Sequence, residues 1–140
     1  MHFSWLSERA GTSISPSMKA IEALGTVETF CYRCGHTHGE IKGMVGYTNW
    51  TSNAVIMHVA VATPVAARAL LRPAFEYPVK TANRKVLLAN ILSSNTASLN
   101  ICRRLGFTTI CTVKQGWDQS TDLVLLELRS ENCRWLEGVR

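Results

Sequence analysis

Three sets of residues in this chain have side chains capable of chemistry. His58 is the only ionisable group in the apolar run Val55-Ile56-Met57-His58-Val59-Ala60-Val61-Ala62. An imidazole with an unperturbed pKa near ~6.5 can accept a proton at neutral pH. His58 is therefore either a general base or a buried neutral histidine. Either way it needs a hydrogen-bond partner, because an unsatisfied polar group in an apolar strand costs stability. Arg68 and Arg72 lie one helical turn apart, just after Thr63-Pro64. Thr followed by Pro opens helices, and a helix N-terminus with nearby cations favours an anion. Cys31, Cys34, His36 and His38 form C-x-x-C-x-H-x-H. These are ligand types for tetrahedral zinc, but zinc ligands normally come from two separated elements. The compact spacing favours a hairpin turn with exposed histidines, so no metal site and less than stoichiometric zinc are expected.

The elements around these residues follow from periodicity and punctuation. Trp5, Leu6 and Ala10 recur at helical spacing, which predicts helix within 3–24, with Gly11 as a stop. Pro16 introduces a second helix over 18–24, ended by Gly25. Val27, Thr29 and Cys31 alternate with Glu28, Phe30 and Tyr32, as in a strand. A turn over 35–39 and a returning strand over 41–50 follow. The run over 55–62 reads as a strand buried on both faces. Thr63 caps the next helix. Pro73 predicts a kink or restart in it, and Pro78 its end. A strand over 85–92 leads to a helix capped by Ser94 or Asn95, which runs to about Leu105 and stops at Gly106. Two strands, 107–113 and 122–128, close the chain around a polar loop at Gly116-Trp117-Asp118. Two apolar strands flanking a helix imply a right-handed crossover and a parallel pair. The fold class is α/β (α+β), a mixed central sheet flanked by helices, in a single domain over 1–140.

Composition narrows the function classes. The chain has 140 residues, 46% hydrophobic and 18% charged, a globular composition. The net charge of +5 favours an anionic ligand but is modest for a dedicated nucleic-acid binder. Arg33, Arg103 and Arg104 read as solvated faces, and Trp117 and Trp135 as packing residues, so no nucleic-acid partner is expected. No apolar run approaches the ~20 residues of a membrane span, and the first residues lack the pattern of a signal peptide. The five cysteines are an odd number spread along the chain, which suits reduced thiols. A cytoplasmic protein is expected.

The segment Asn95-Thr96-Ala97-Ser98-Leu99-Asn100-Ile101-Cys102-Arg103-Arg104-Leu105-Gly106-Phe107 resembles a signature of the GNAT acetyltransferase superfamily, in which an Asn opens a helix that ends in Leu-Gly-Phe. Ser98, and the absence of a Tyr, are similar to the branch that acetylates ribosomal-protein N-termini. Met57-His58-Val59-Ala60-Val61, Phe75-Glu76-Tyr77-Pro78-Val79 and Glu131-Asn132-Cys133-Arg134-Trp135-Leu136 are similar to short acetyltransferases encoded by phages and prophages. For a phage-encoded protein the location would be the host cytoplasm.

The resemblance implies an N-acetyltransferase that moves acetyl from acetyl-CoA (coenzyme A) to a primary amine by direct attack. The amine would be a protein N-terminus, a Lys or a small amine. The cofactor would lie where the two parallel strands part, with backbone contacts from Val59, Ala60 and Val61 and with Arg68 and Arg72 near its phosphates. Asn95 and Ser98 would hydrogen-bond the pantetheine or phosphates, although Asn95 also reads as a simple N-cap. His58 would be the general base. Cys102 stands where many relatives carry a proton-donating Tyr; a thiol with a pKa near ~8.5 can donate a proton, but a helix Cys is more often a small core residue. The Gly-rich phosphate loop of the superfamily is replaced by Ala62-Thr63-Pro64-Val65-Ala66-Ala67-Arg68. An alternative is therefore a catalytically silent module of the same fold that acts through protein contacts. A second rival is a zinc-dependent nucleic-acid adaptor built on the Cys/His hairpin. Monomer and homodimer are both compatible with the sequence.

Overall fold

The computed structural model describes residues 2–5, 16–23, 29–33 and 41–136. The elements run β1 (His2–Trp5), α1 (Pro16–Ala23), β2 (Thr29–Arg33), β3 (Ile41–Thr48), β4 (Ala54–Val61), α2 (Pro64–Glu76), a π-helical turn (Tyr77–Thr81), β5 (Val86–Leu92), α3 (Thr96–Leu105), β6 (Thr108–Asp118) and β7 (Thr121–Arg129). Two short 3₁₀ turns follow, Ser130–Asn132 and Arg134–Leu136. The strands form one 7-stranded sheet in the order β1-β2-β3-β4-β5-β7-β6. β4 and β5 are parallel and every other pair is antiparallel. This is the predicted mixed sheet, with the predicted crossover through α2.

Apolar residues on alternate positions of the central strands build the core. Val45, Tyr47, Val55, Met57, Leu87, Ala89 and Leu126 pack against Ala66, Leu70, Ala74 and Phe75 of α2 and Leu99 of α3. On the opposite face, Met44 and Ala60 pack against Met18 and Ile21 of α1. The Tyr47 hydroxyl donates to the Ala74 carbonyl at 2.6 Å, so its one polar atom is satisfied within the core. Gly43 lets α2 approach β3 closely: a Cβ there would lie 2.5 Å from Leu70 Cδ1. Leu70 is nearly fully buried at this crossing. Leu70→Ala should lower unfolding stability by about 2–5 kcal/mol, the usual range for truncating a buried Leu. Urea denaturation checks this; a loss below ~1 kcal/mol would mean that α2 is loosely docked.

Several sequence predictions are corrected. His2–Trp5 is a strand paired with Thr29–Arg33's strand, not the start of a helix. A short segment pays a large nucleation cost as a helix but can add to an open sheet edge. The Gly11 and Gly25 stops and the 35–39 turn lie outside the described residues. α2 runs through Pro73 to Glu76, and Pro78 falls inside the π-helical turn rather than ending the helix. Burial of Ala74 and Phe75 offsets the one backbone hydrogen bond that Pro73 removes. The expected loop at Gly116-Trp117-Asp118 belongs to β6. Register jumps there from Val113–Leu123 to Asp118–Thr121, so four residues bulge opposite Asp122. The Gln115 N–H donates to Asp122 Oδ1 at 3.0 Å and holds the bulge.

Candidate active site

The two parallel strands part. β4 and β5 pair only at Ala54–Val86, Val55–Leu87 and Ile56–Leu88, although both run on for several residues. β4 stays bonded to β3 as far as Gly43–Val61, and β5 stays bonded to β7 as far as Leu92–Leu123. A wedge therefore opens within the sheet past Ile56 and Leu88, at the strands' C-terminal end. The Ala62 N–H bonds the Lys42 carbonyl at 2.8 Å, which fixes the phase of the antiparallel ladder. By alternation, the amides of His58, Ala60 and Ala62 face β3, and those of Val59 and Val61 face the wedge. The prediction for three consecutive backbone contacts is corrected here: Ala60 has its amide in the β3 ladder and its side chain buried against α1. The expectation of a strand buried on both faces also fails, because Val59 and Val61 are 53% and 37% exposed.

His58 stands on the α1 face of β4, as strand parity predicts for Ile56, His58 and Ala60. Its Nε2 shares a 2.7 Å hydrogen bond with the Thr48 hydroxyl of β3. Thr48 is the partner that an apolar strand demanded and the sequence did not reveal. Partial burial holds the His58 pKa below the usual histidine value. Nδ1 has no hydrogen-bond partner among the described residues. Asn90 is a second candidate, one that no motif marked. The register Ile56–Leu88 brings Asn90 level with His58 on the same face, across the opened wedge. It is exposed in a central strand, and its amide has no hydrogen-bond partner among the described residues. The signal was present, since Asn90 is the one polar residue in an otherwise apolar strand.

Both crossover helices begin at the wedge end of the sheet. Thr63 caps α2 by accepting the Ala66 N–H at 3.1 Å, and the Ala67 N–H bonds the Thr63 carbonyl. Pro64 has no N–H, so the first turn leaves only the Val65 amide for an anion. The helix start expected to favour an anion therefore offers one free amide. Charge must come from side chains. Arg68 is exposed and has no ion-pair partner among the described residues, whereas Arg72 is paired with Glu76 at 3.3 Å. The structure thus separates two arginines that spacing had grouped. Asn95 caps α3, its Oδ1 accepting the Ser98 N–H at 3.2 Å, and Gly106 ends that helix at φ 107°. Cys102 is half-buried in α3 and packs against the core; burial pushes its thiol pKa up to about 11, making it a weaker acid. Cys34, His36 and His38 lie outside the described residues.

The fold matches solved structures of acetyltransferases. An acetyltransferase from Salmonella typhimurium, solved with its cofactor acetyl-CoA, superposes with a TM-score of 0.60 at 22% identity, over 79% of this chain and 68% of the other. The fold is the acetyltransferase fold. A spermidine N-acetyltransferase from Vibrio cholerae matches with a TM-score of 0.63 at 13% identity, over 79% and 67% of the two chains. A ribosomal-protein-alanine N-acetyltransferase from Brucella melitensis matches with a TM-score of 0.60 at 21% identity, over 80% and 74%. No protein-family model and no curated protein matches the chain. Among the described residues, no helix is long and apolar enough to cross a membrane.

Proposed function

We propose that the protein is an N-acetyltransferase that moves acetyl from acetyl-CoA to a primary amine. The observation that carries this reading is the wedge, with the Val59 and Val61 amides turned into it and His58 beside it. A pantetheine arm is an extended chain with two amide groups, so it suits a gap lined by free strand amides. Arg68 and the Val65 amide would receive phosphate, and the Ser98 hydroxyl and the remaining N–H groups of the Asn95 amide lie at the neighbouring helix start. When bound, acetyl-CoA supplies an acetyl group activated as a thioester.

The chain's own residues then have defined tasks. Nδ1 of His58 takes a proton from the acceptor ammonium, directly or through a water, while Thr48 holds the ring by Nε2. A depressed His58 pKa keeps the imidazole neutral and ready at pH 7. The Val59 N–H, aimed into the wedge, polarises the carbonyl under attack. Cys102, with its raised pKa, is a packing residue in this scheme. The fold's likeness to an enzyme of ribosomal-protein alanine and to one of spermidine leaves both protein and small amines as acceptors.

Calorimetric titration with acetyl-CoA tests this reading against a silent module of the same fold. Binding in the micromolar range, followed by acetylation of a supplied amine, supports it; no heat at high micromolar concentration favours the silent module. Arg68→Glu should weaken coenzyme A binding about tenfold at low salt, and by less at high salt, because an exposed charge is screened. Equal affinity for parent and variant at low salt would remove Arg68 from the phosphate site.

A further inference from the structure

We infer that Asn90 orients the acceptor, and that the acceptor is the α-amine of a peptide rather than an alkylamine or polyamine. This rests on the acetyltransferase reading and adds its substrate class. Asn90 is level with His58 on the same face of the parting strands, with an unpartnered amide at the opening. Paired strands lie ~4.8 Å apart, and these two diverge from that spacing, so a small group fits between the side chains. An amine between them has the His58 side chain on one side and the Asn90 side chain on the other.

An asparagine cannot take the proton, but it both accepts and donates hydrogen bonds. Oδ1 accepts an N–H of the amine. Nδ2–H donates to an oxygen nearby on the same molecule. A peptide N-terminus offers that oxygen, because its first carbonyl oxygen is two bonds from the carbon bearing the amine. An alkylamine, a Lys side chain and a polyamine do not. Charge points the same way: a polyamine carries further ammonium groups that require carboxylates, and the chain's net charge is +5. Ile56, Leu88 and Leu125 supply a half-buried apolar floor around Asn90, suited to a small first side chain.

The test compares kcat/KM for alanyl-alanine amide, n-propylamine and spermidine in the parent, in Asn90→Ala and in Asn90→Asp. The parent should prefer the dipeptide amide over n-propylamine by about tenfold or more, the size of one or two well-placed hydrogen bonds. Asn90→Ala should collapse that ratio towards one. Asn90→Asp should shift preference towards spermidine. Asn90 is exposed, so both variants should keep parent-like melting temperatures. A parent that acetylates n-propylamine or spermidine as well as the dipeptide, or an Asn90→Ala variant with an unchanged ratio, overturns this inference and leaves the acetyltransferase reading standing. A parent that acetylates no amine overturns both.

Discussion

His58→Ala should lower kcat/KM by about 10²–10⁴-fold while acetyl-CoA affinity stays close to that of the parent. This is the usual range for removing a positioned general base. His58 lies on β4 beside the wedge, with one ring nitrogen held by Thr48 at 2.7 Å and the other free among the described residues. The pH dependence gives a second readout. Burial lowers the His58 pKa, so the acid limb of the parent's kcat/KM profile should have its midpoint below ~6.5. That limb should vanish in the variant. Stability has the matching sign. The folded chain binds this proton less readily than the unfolded chain, so His58 costs nothing above pH ~6.5. Its neutral form must then be protonated as the pH falls, and stability drops. The parent should lose stability on acidification below ~6.5 more steeply than His58→Ala. Near-parent activity on a verified acceptor would eliminate His58 as the base.

The sheet was legible because its signals were local. Apolar runs on either side of a Thr63-Pro64 helix start give a crossover, and Asn95 and Gly106 bracket α3 at the ends where the structure shows its caps. His58 was legible as a polar residue in an apolar run. What escaped the sequence was long-range. Thr48 meets His58 only because β3 and β4 pair in a register that no motif encodes. Asn90 matters only because β4 and β5 stop pairing at Ile56–Leu88. Spacing grouped Arg68 with Arg72, and only the structure shows Glu76 engaging the second. At the N-terminus, helical spacing over a few residues was outweighed by the open edge of β2. The cap at Thr63 was correctly predicted, yet its consequence for the anion site was not. A side chain that takes the Ala66 N–H withholds it from a phosphate, and Pro64 withholds another.

Val59→Pro should abolish measurable transfer, with a kcat/KM loss of at least ~10²-fold, in a protein that still folds. The decisive feature is which way the amides of β4 point. The β3 ladder is carried by His58, Ala60 and Ala62, and the Val59 N–H faces the wedge, where no strand among the described residues bonds it. Proline is tolerated in a sheet where its missing N–H faces away from a partner, and the Val59 side chain is 53% exposed, so little packing is lost. The substitution therefore removes one donor and leaves the sheet hydrogen bonds in place. If that donor polarises the carbonyl under attack, its loss belongs to the ~10²–10³-fold class of oxyanion-type donors. Ala60→Pro is the control. It deletes a ladder donor at a buried position and should destabilise the sheet itself. Circular dichroism should find Val59→Pro folded and Ala60→Pro unfolded or strongly weakened. A folded Val59→Pro variant with parent-like turnover would show that the amide facing the wedge takes no part in the reaction, and the site would then have to be moved to the Val61 end of the strand.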